Sequence, residues 1–235
     1  MTNHALLNNN QHRDLRVITT RGASYGDDIM AAPTFPAEFR NVQAHYPIVF
    51  AKSREGTFTP LALFGFRDKQ NLFLQDDRWD ASYVPLMVER VPFLIGASGT
   101  GKVVHIDMDN PRVSHTEGEA LFLEHGGSTP YLERVTSMLA AIDDGLAATP
   151  PFIDALNQHE LLESFALDIE FRDGAQHRFT GFFAVQEERL AKLGAEALGT
   201  LHQKGYLQAI YMAVASFSNY RGLIERASKL NAADR

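Results

Sequence analysis

A chain of 235 residues, 45% hydrophobic and 22% charged, has the make-up of a folded protein with one two-part domain or two small ones. A formal net charge of −7 argues against broad contact with a phosphate backbone, which needs a basic face. The lack of cysteine excludes disulfides, thiolate metal sites and a cysteine nucleophile.

In chain order, Met1 to Asn10 lacks the basic and apolar regions of a Sec signal peptide, and no later stretch approaches the roughly 18 uninterrupted apolar residues of a membrane helix. The expectation is a cytoplasmic protein with no nucleic-acid partner and no membrane span, with non-Sec export left open. Residues 1–34 are polar and turn-rich and read as a poorly ordered arm anchored by Leu15, Val17 and Ile18. From Ala44 to Asp109, short apolar runs bounded by Gly, Asp and Pro predict strands at Tyr46–Ala51, Leu61–Phe66, Leu72–Gln75, Pro92–Ile95 and Val103–Met108. Their short connections favour antiparallel neighbours.

The texture changes near residue 128. Thr129-Pro130 supplies an N-cap and a first-turn proline, followed by Leu132, Val135, Met138, Leu139, Ile142 and Leu146 at helical spacing. Thr149-Pro150 repeats the signal and predicts a second helix running toward Phe165, the two making a helical hairpin. Leu167–Phe171 and His177–Val185 flank Arg172-Asp173-Gly174-Ala175, which predicts a β-hairpin. Two helices then close the chain, one along Leu190–Leu201 and one along Leu207–Phe217, with Gly205 as a helix C-terminal glycine. The whole predicts an α+β fold: a mainly antiparallel β region over 35–128, then helices with an inserted hairpin over 129–230, in a single domain of residues 35–235.

Three constellations bear on function. Gly96-Ala97-Ser98-Gly99-Thr100-Gly101-Lys102 has the glycine and lysine spacing of a phosphate-binding loop. The motif requires Ser or Thr next, where this chain has Val103, and it must open a helix, whereas Val103–Asp107 reads as a strand. A turn between two strands accounts for the glycines. His105 and Asp107, two apart on a strand, share a face; with His177 they would complete the two-His-one-carboxylate set of a non-haem iron site. Arg178 or Arg189 would then pair with a carboxylate co-substrate such as 2-oxoglutarate. The plainer explanation is a strand-end histidine beside a turn.

The third constellation runs from Asn71 to Phe93. It holds the single tryptophan, Trp79, with Asp80, Tyr83 and Arg90. Trp79 and Tyr83 would share a face if the segment were helical, and Asp80 could receive Arg90 as a bidentate partner. These four are the candidate ligand-binding residues, weighed against a structural corner in which buried aromatic tips find partners. Ser216-Phe217-Ser218 falls in a predicted helix and gives no nucleophile elbow; the small residues there suit close helix packing.

At these residues the chain resembles the SapC family of bacterial proteins. The resemblance rests on Pro47–Phe50, Thr59–Gly65, Asn71–Phe73, Trp79-Asp80, Tyr83–Pro85, Arg90 with Pro92-Phe93, Gly118–Phe122 and Gly205–Tyr211, and covers about residues 35–228. It implies a link to a surface-layer locus, with other members labelled as transport-related. It brings no catalytic residue; an acid near Asp107 belongs to the pattern and His105 does not. The reading is a non-enzymatic binding or assembly protein that meets a protein partner or small ligand and needs no cofactor. The alternative is an iron- and 2-oxoglutarate-dependent oxygenase using His105, Asp107 and His177.

Overall fold

The computed structural model describes residues 3–98, 101–170 and 176–233. The chain runs β1 (His4–Leu6), β2 (Arg16–Val17), β3 (Ala31–Pro33), α1 (Phe39–Val42), β4 (Ile48–Lys52), β5 (Phe58–Leu63), β6 (Leu74–Gln75), β7 (Arg78–Trp79), α2 (Leu86–Glu89), β8 (Phe93–Ser98) and β9 (Gly101–Asp107). It continues through β10 (Val113–Ser114), β11 (Glu119–Ala120), α3 (Pro130–Gln158), β12 (Leu162–Glu170), β13 (Gln176–Val185), α4 (Glu187–Ala191), α5 (Ala195–Gln203), α6 (Tyr206–Ser216) and α7 (Asn219–Ala233). Every strand pairing among the described residues is antiparallel, and the strands concentrate ahead of the helices, so the fold is α+β as expected.

Two compact units divide the chain. The first comprises Met1–Asp27, Leu74–Trp79 and Leu86–Asp144. It holds two three-stranded sheets, β1-β9-β8 and β10-β2-β11, the β6-β7 ribbon and the first half of α3. Leu15, Val17, Phe93, Ile106, Leu121 and the α3 stripe Leu132, Val135, Leu139 and Ile142 form its buried apolar set. Arg112, only 2% exposed, is the polar hub here. Its guanidinium donates to the carbonyls of Ile18 (2.9 Å) and Thr20 (2.7 Å) and to Asp27 Oδ2 (2.6 Å). A charge so deeply buried persists because it is paired and hydrogen-bonded.

The segment expected to be a loose arm differs most from the reading above. β1 pairs with β9 in the register His4↔Asp107, β2 is the central strand of its sheet, and β3 edges the five-stranded sheet. Leu15 and Val17 do anchor it, each 1% exposed. The partners are remote in sequence, so local composition shows only the polar loops between these short strands.

The second unit comprises Asp28–Phe73, Asp80–Pro85 and Gly145–Arg235. Its sheet has the order β12-β13-β4-β5-β3, with α1, α4, α5, α6, α7 and the second half of α3. The long β12–β13 hairpin keeps its pairing out to Glu170↔Gln176, with a bulge between Phe165 and Leu167; the Asp-Gly turn itself lies outside the described residues. Ser216 and Ala213, expected to allow close packing, are buried on α6, and Ser216 Oγ accepts the β4 amide of Ile48 at 2.9 Å while donating to the Ala213 carbonyl at 2.6 Å. Ala215 and Ser218 are exposed.

The predicted helical hairpin is instead one helix of 29 residues with Pro150 and Pro151 inside it. Thr129 caps it, its Oγ1 accepting the Leu132 amide at 3.3 Å. Thr149, read as a second cap, turns its hydroxyl back onto the Gly145 carbonyl at 2.8 Å, as a helix-interior threonine does. Burial of Phe152, Ile153 and Leu156 offsets the two missing amide donors. The helix ends at Gln158, and Phe165 belongs to a strand. The Leu190–Leu201 stripe is split into α4 and α5, and α7 is an additional closing helix. Among the described residues its buried apolar positions are Tyr220, Leu223 and Ala227, joined by the polar Ser228, a stripe too narrow to announce itself among polar neighbours. Gly205 is left-handed (φ 74°) between α5 and α6, as predicted.

Candidate functional site

The Trp79–Tyr83 segment is not helical. Trp79 sits on β7, paired with Leu74 in a two-residue ribbon, and is 8% exposed. It belongs to the first unit, as does Arg90, whose Nη1 donates to the Phe93 carbonyl at 2.8 Å. Burial lowers the pKa of the Arg90 guanidinium from its ordinary value. Asp80 and Tyr83 belong to the second unit.

Tyr83 donates its hydroxyl to Glu38 Oε1 at 2.8 Å, and Thr34 Oγ1 donates to the other oxygen at 2.6 Å. The Tyr83 carbonyl accepts the hydroxyl of Tyr46. Desolvation, then the negative Glu38, raises the Tyr83 pKa above that of an ordinary phenol. Tyr83 thus fastens the 80–85 loop to the core.

Asp80 has an arginine partner, but it is Arg226 on α7. Nη1 of Arg226 reaches Asp80 Oδ2 at 2.7 Å, and Nη2 reaches the Asp80 carbonyl at 3.2 Å. The guanidinium carbon lies 4.5 Å from the Phe73 ring centroid, a cation–π contact. These groups line a cavity of about 410 Å³ within the second unit, together with His45, Asn219, Arg221 and Glu225. Of the four residues singled out in the sequence, Asp80 is the one that lines this cavity. Arg226 was missed because nothing local to α7 marks it; the pairing spans 146 positions.

Beside the cavity, Ser82 Oγ and His45 Nε2 share a hydrogen bond of 2.9 Å. A nucleophilic serine needs its histidine oriented by a third group; among the described residues His45 has no acidic hydrogen-bond partner. The pair is solvent-exposed.

The first unit contains a separate, more apolar cavity of about 380 Å³ floored by Ile95, Val104 and Leu139, where Lys102 and Asp143 pair. Of the glycine-rich motif, Gly96, Ala97 and Ser98 belong to β8 and Gly101 and Lys102 to β9; the two strands pair from Phe93↔Ile106 to Ser98↔Gly101, so Lys102 and Val103 are strand residues. Gly99 and Thr100 lie outside the described residues. Gly96 has a packing reason. A Cβ there would sit 2.3 Å from Cδ2 of His105, whose ring covers it.

His105 and Asp107 lie on β9 of the three-stranded sheet, while His177 lies on β13 of the five-stranded one, its side chain outside the described residues. Among the described residues no group of three or more His, Asp or Glu is placed to hold a metal ion. No described helix is long and apolar enough to cross a membrane.

Fold and cavity together define an α+β protein with a polar, arginine-lined recess. The chain belongs to the SapC family, whose model matches residues 7–223. No curated protein and no solved structure matches it.

Proposed function

We propose that this chain is a non-enzymatic binding protein of the SapC family that takes a small polar ligand into the Asp80–Arg226 cavity. Family membership motivates a role in the cell envelope, its surface layer or uptake, with the cytoplasm as the default compartment. One observation carries the reading: a salt bridge between Asp80 and Arg226 is built into the wall of a cavity of ligand size instead of standing alone on the surface. The carboxylates lining that cavity, Asp80 and Glu225, each face an arginine, an arrangement suited to recognition.

A thermal-shift screen of the purified chain against a library of polar metabolites tests this, with Asp80→Ala in parallel. A ligand at about 100 Kd adds ~2.7 kcal/mol, and each kcal/mol moves the midpoint by ~2–4 °C for a chain of this size. The expected gain is therefore about 5–10 °C for wild type and little for the variant. A library without a single stabilising compound, or one whose hits act equally on the variant, rejects the reading.

A further inference from the structure

A guanidinium has five N–H donors, and the protein engages three of those on Arg226. Nη1 serves Asp80 Oδ2 and, at 3.5 Å, the Leu72 carbonyl; Nη2 serves the Asp80 carbonyl. That leaves Nε–H and one Nη2–H, the fork on the other edge of the group, without an acceptor among the described residues. The Phe73 ring under the guanidinium and the two Asp80 contacts fix its plane. Arg221, five residues earlier on α7, is 89% exposed and has a single 3.4 Å contact to Glu225. Both arginines line the cavity. Asp80 is taken up by Arg226, so the open edge of that guanidinium and the exposed Arg221 are the cationic donors the cavity offers.

Resting on the reading above, we infer that the cavity's ligand carries an oxyanion, a carboxylate or a phosphate, seated on the free fork of Arg226 with Arg221 closing over it. Two parallel N–H groups match two oxygens of either anion, which a lysine ammonium does not. Asp80 then does not meet the ligand. It is a positioning residue that holds Arg226 with its open edge outward. The cavity volume suits a small acid and not a polymer.

The test titrates the full chain, at constant ionic strength, with succinate, inorganic phosphate, choline and glucose, following the backbone amide shifts of Asn219–Arg226 by NMR. Saturable shifts are expected with succinate or phosphate and none with choline or glucose. Arg221→Glu should weaken that binding about tenfold or more while leaving the melting temperature unchanged, because the side chain is exposed. Arg226→Lys, which keeps the charge but loses the fork, should weaken it as well. Oxyanion binding untouched by both variants, or binding of only choline or glucose at these amides, overturns the inference, the latter leaving the proposed binding role standing. If none of the four probes moves these amides, the inference falls and the cavity reading loses its support with it.

Discussion

Tyr83, Tyr131 and Tyr220 keep their phenols neutral under conditions where an exposed tyrosine ionises. For Tyr83 the causes are burial and then Glu38; for Tyr131, pushed up to about 12, burial and then Glu89; for Tyr220, burial alone, its hydroxyl having no partner among the described residues. The unfolded chain loses these protons near pH 10. The folded chain keeps them, so their contribution to stability is complete below that pH and is lost as pH rises through the folded values. Urea midpoints should fall steadily from pH 9 to 11.5, and Tyr131→Phe should flatten part of that fall; a midpoint independent of pH in this range would contradict it. At this scale the sequence was half legible. It marked Asp80 and Tyr83 as special, since a Trp-Asp-x-x-Tyr cluster is locally conspicuous. It could not show that their partners are Arg226 and Glu38, because a salt bridge or a buried hydrogen bond leaves no trace in spacing when its halves are far apart.

Among the elements, α3 shows how identical local signals part ways. Thr129-Pro130 and Thr149-Pro150 read alike, yet one starts the helix and the other lies inside it. The difference is tertiary, since the residues after Pro150 continue a buried face. An interior proline costs ~3 kcal/mol relative to alanine, partly offset by the ~0.4–1 kcal/mol that proline saves in the unfolded chain. Pro150→Ala should therefore stabilise the protein by about 1–3 kcal/mol in urea unfolding. Gly145, five residues earlier, should respond oppositely. A Cβ there would sit 2.2 Å from Cδ2 of Phe35, so Gly145→Ala, ordinarily favourable in a helix, should cost about 1–3 kcal/mol from overpacking. A Gly145→Ala variant as stable as wild type would mean that the Phe35 ring moves aside freely. The longer strands were legible from apolar runs and the β12–β13 hairpin from its turn, whereas the short β1, β2, β3, β7, β10 and β11 were not. The order β12-β13-β4-β5-β3 was not, since it joins stretches more than 100 residues apart.

For the molecule as a whole, each compact unit is made of three separate stretches of chain. No single cut yields either one whole. A fragment of residues 145–235 keeps the β12–β13 hairpin and α4 to α7 but loses β3, β4 and β5, the rest of its sheet. A lone hairpin is marginal in water. The fragment should show no cooperative urea transition, and a sharp one would mean that the helices alone suffice. Composition and pattern gave the α+β class because they sum over many residues, whereas interleaving is a property of contacts. The same interleaving puts a clock on the cavity. Asp80 emerges from the ribosome 146 residues before Arg226, roughly 7–30 seconds at ~5–20 residues per second. Until α7 has been synthesised, a nascent chain can have most of its sheet and still lack the Arg226 wall of the cavity. Under the proposed role, binding competence would therefore wait on α7, long after Asp80 has been made.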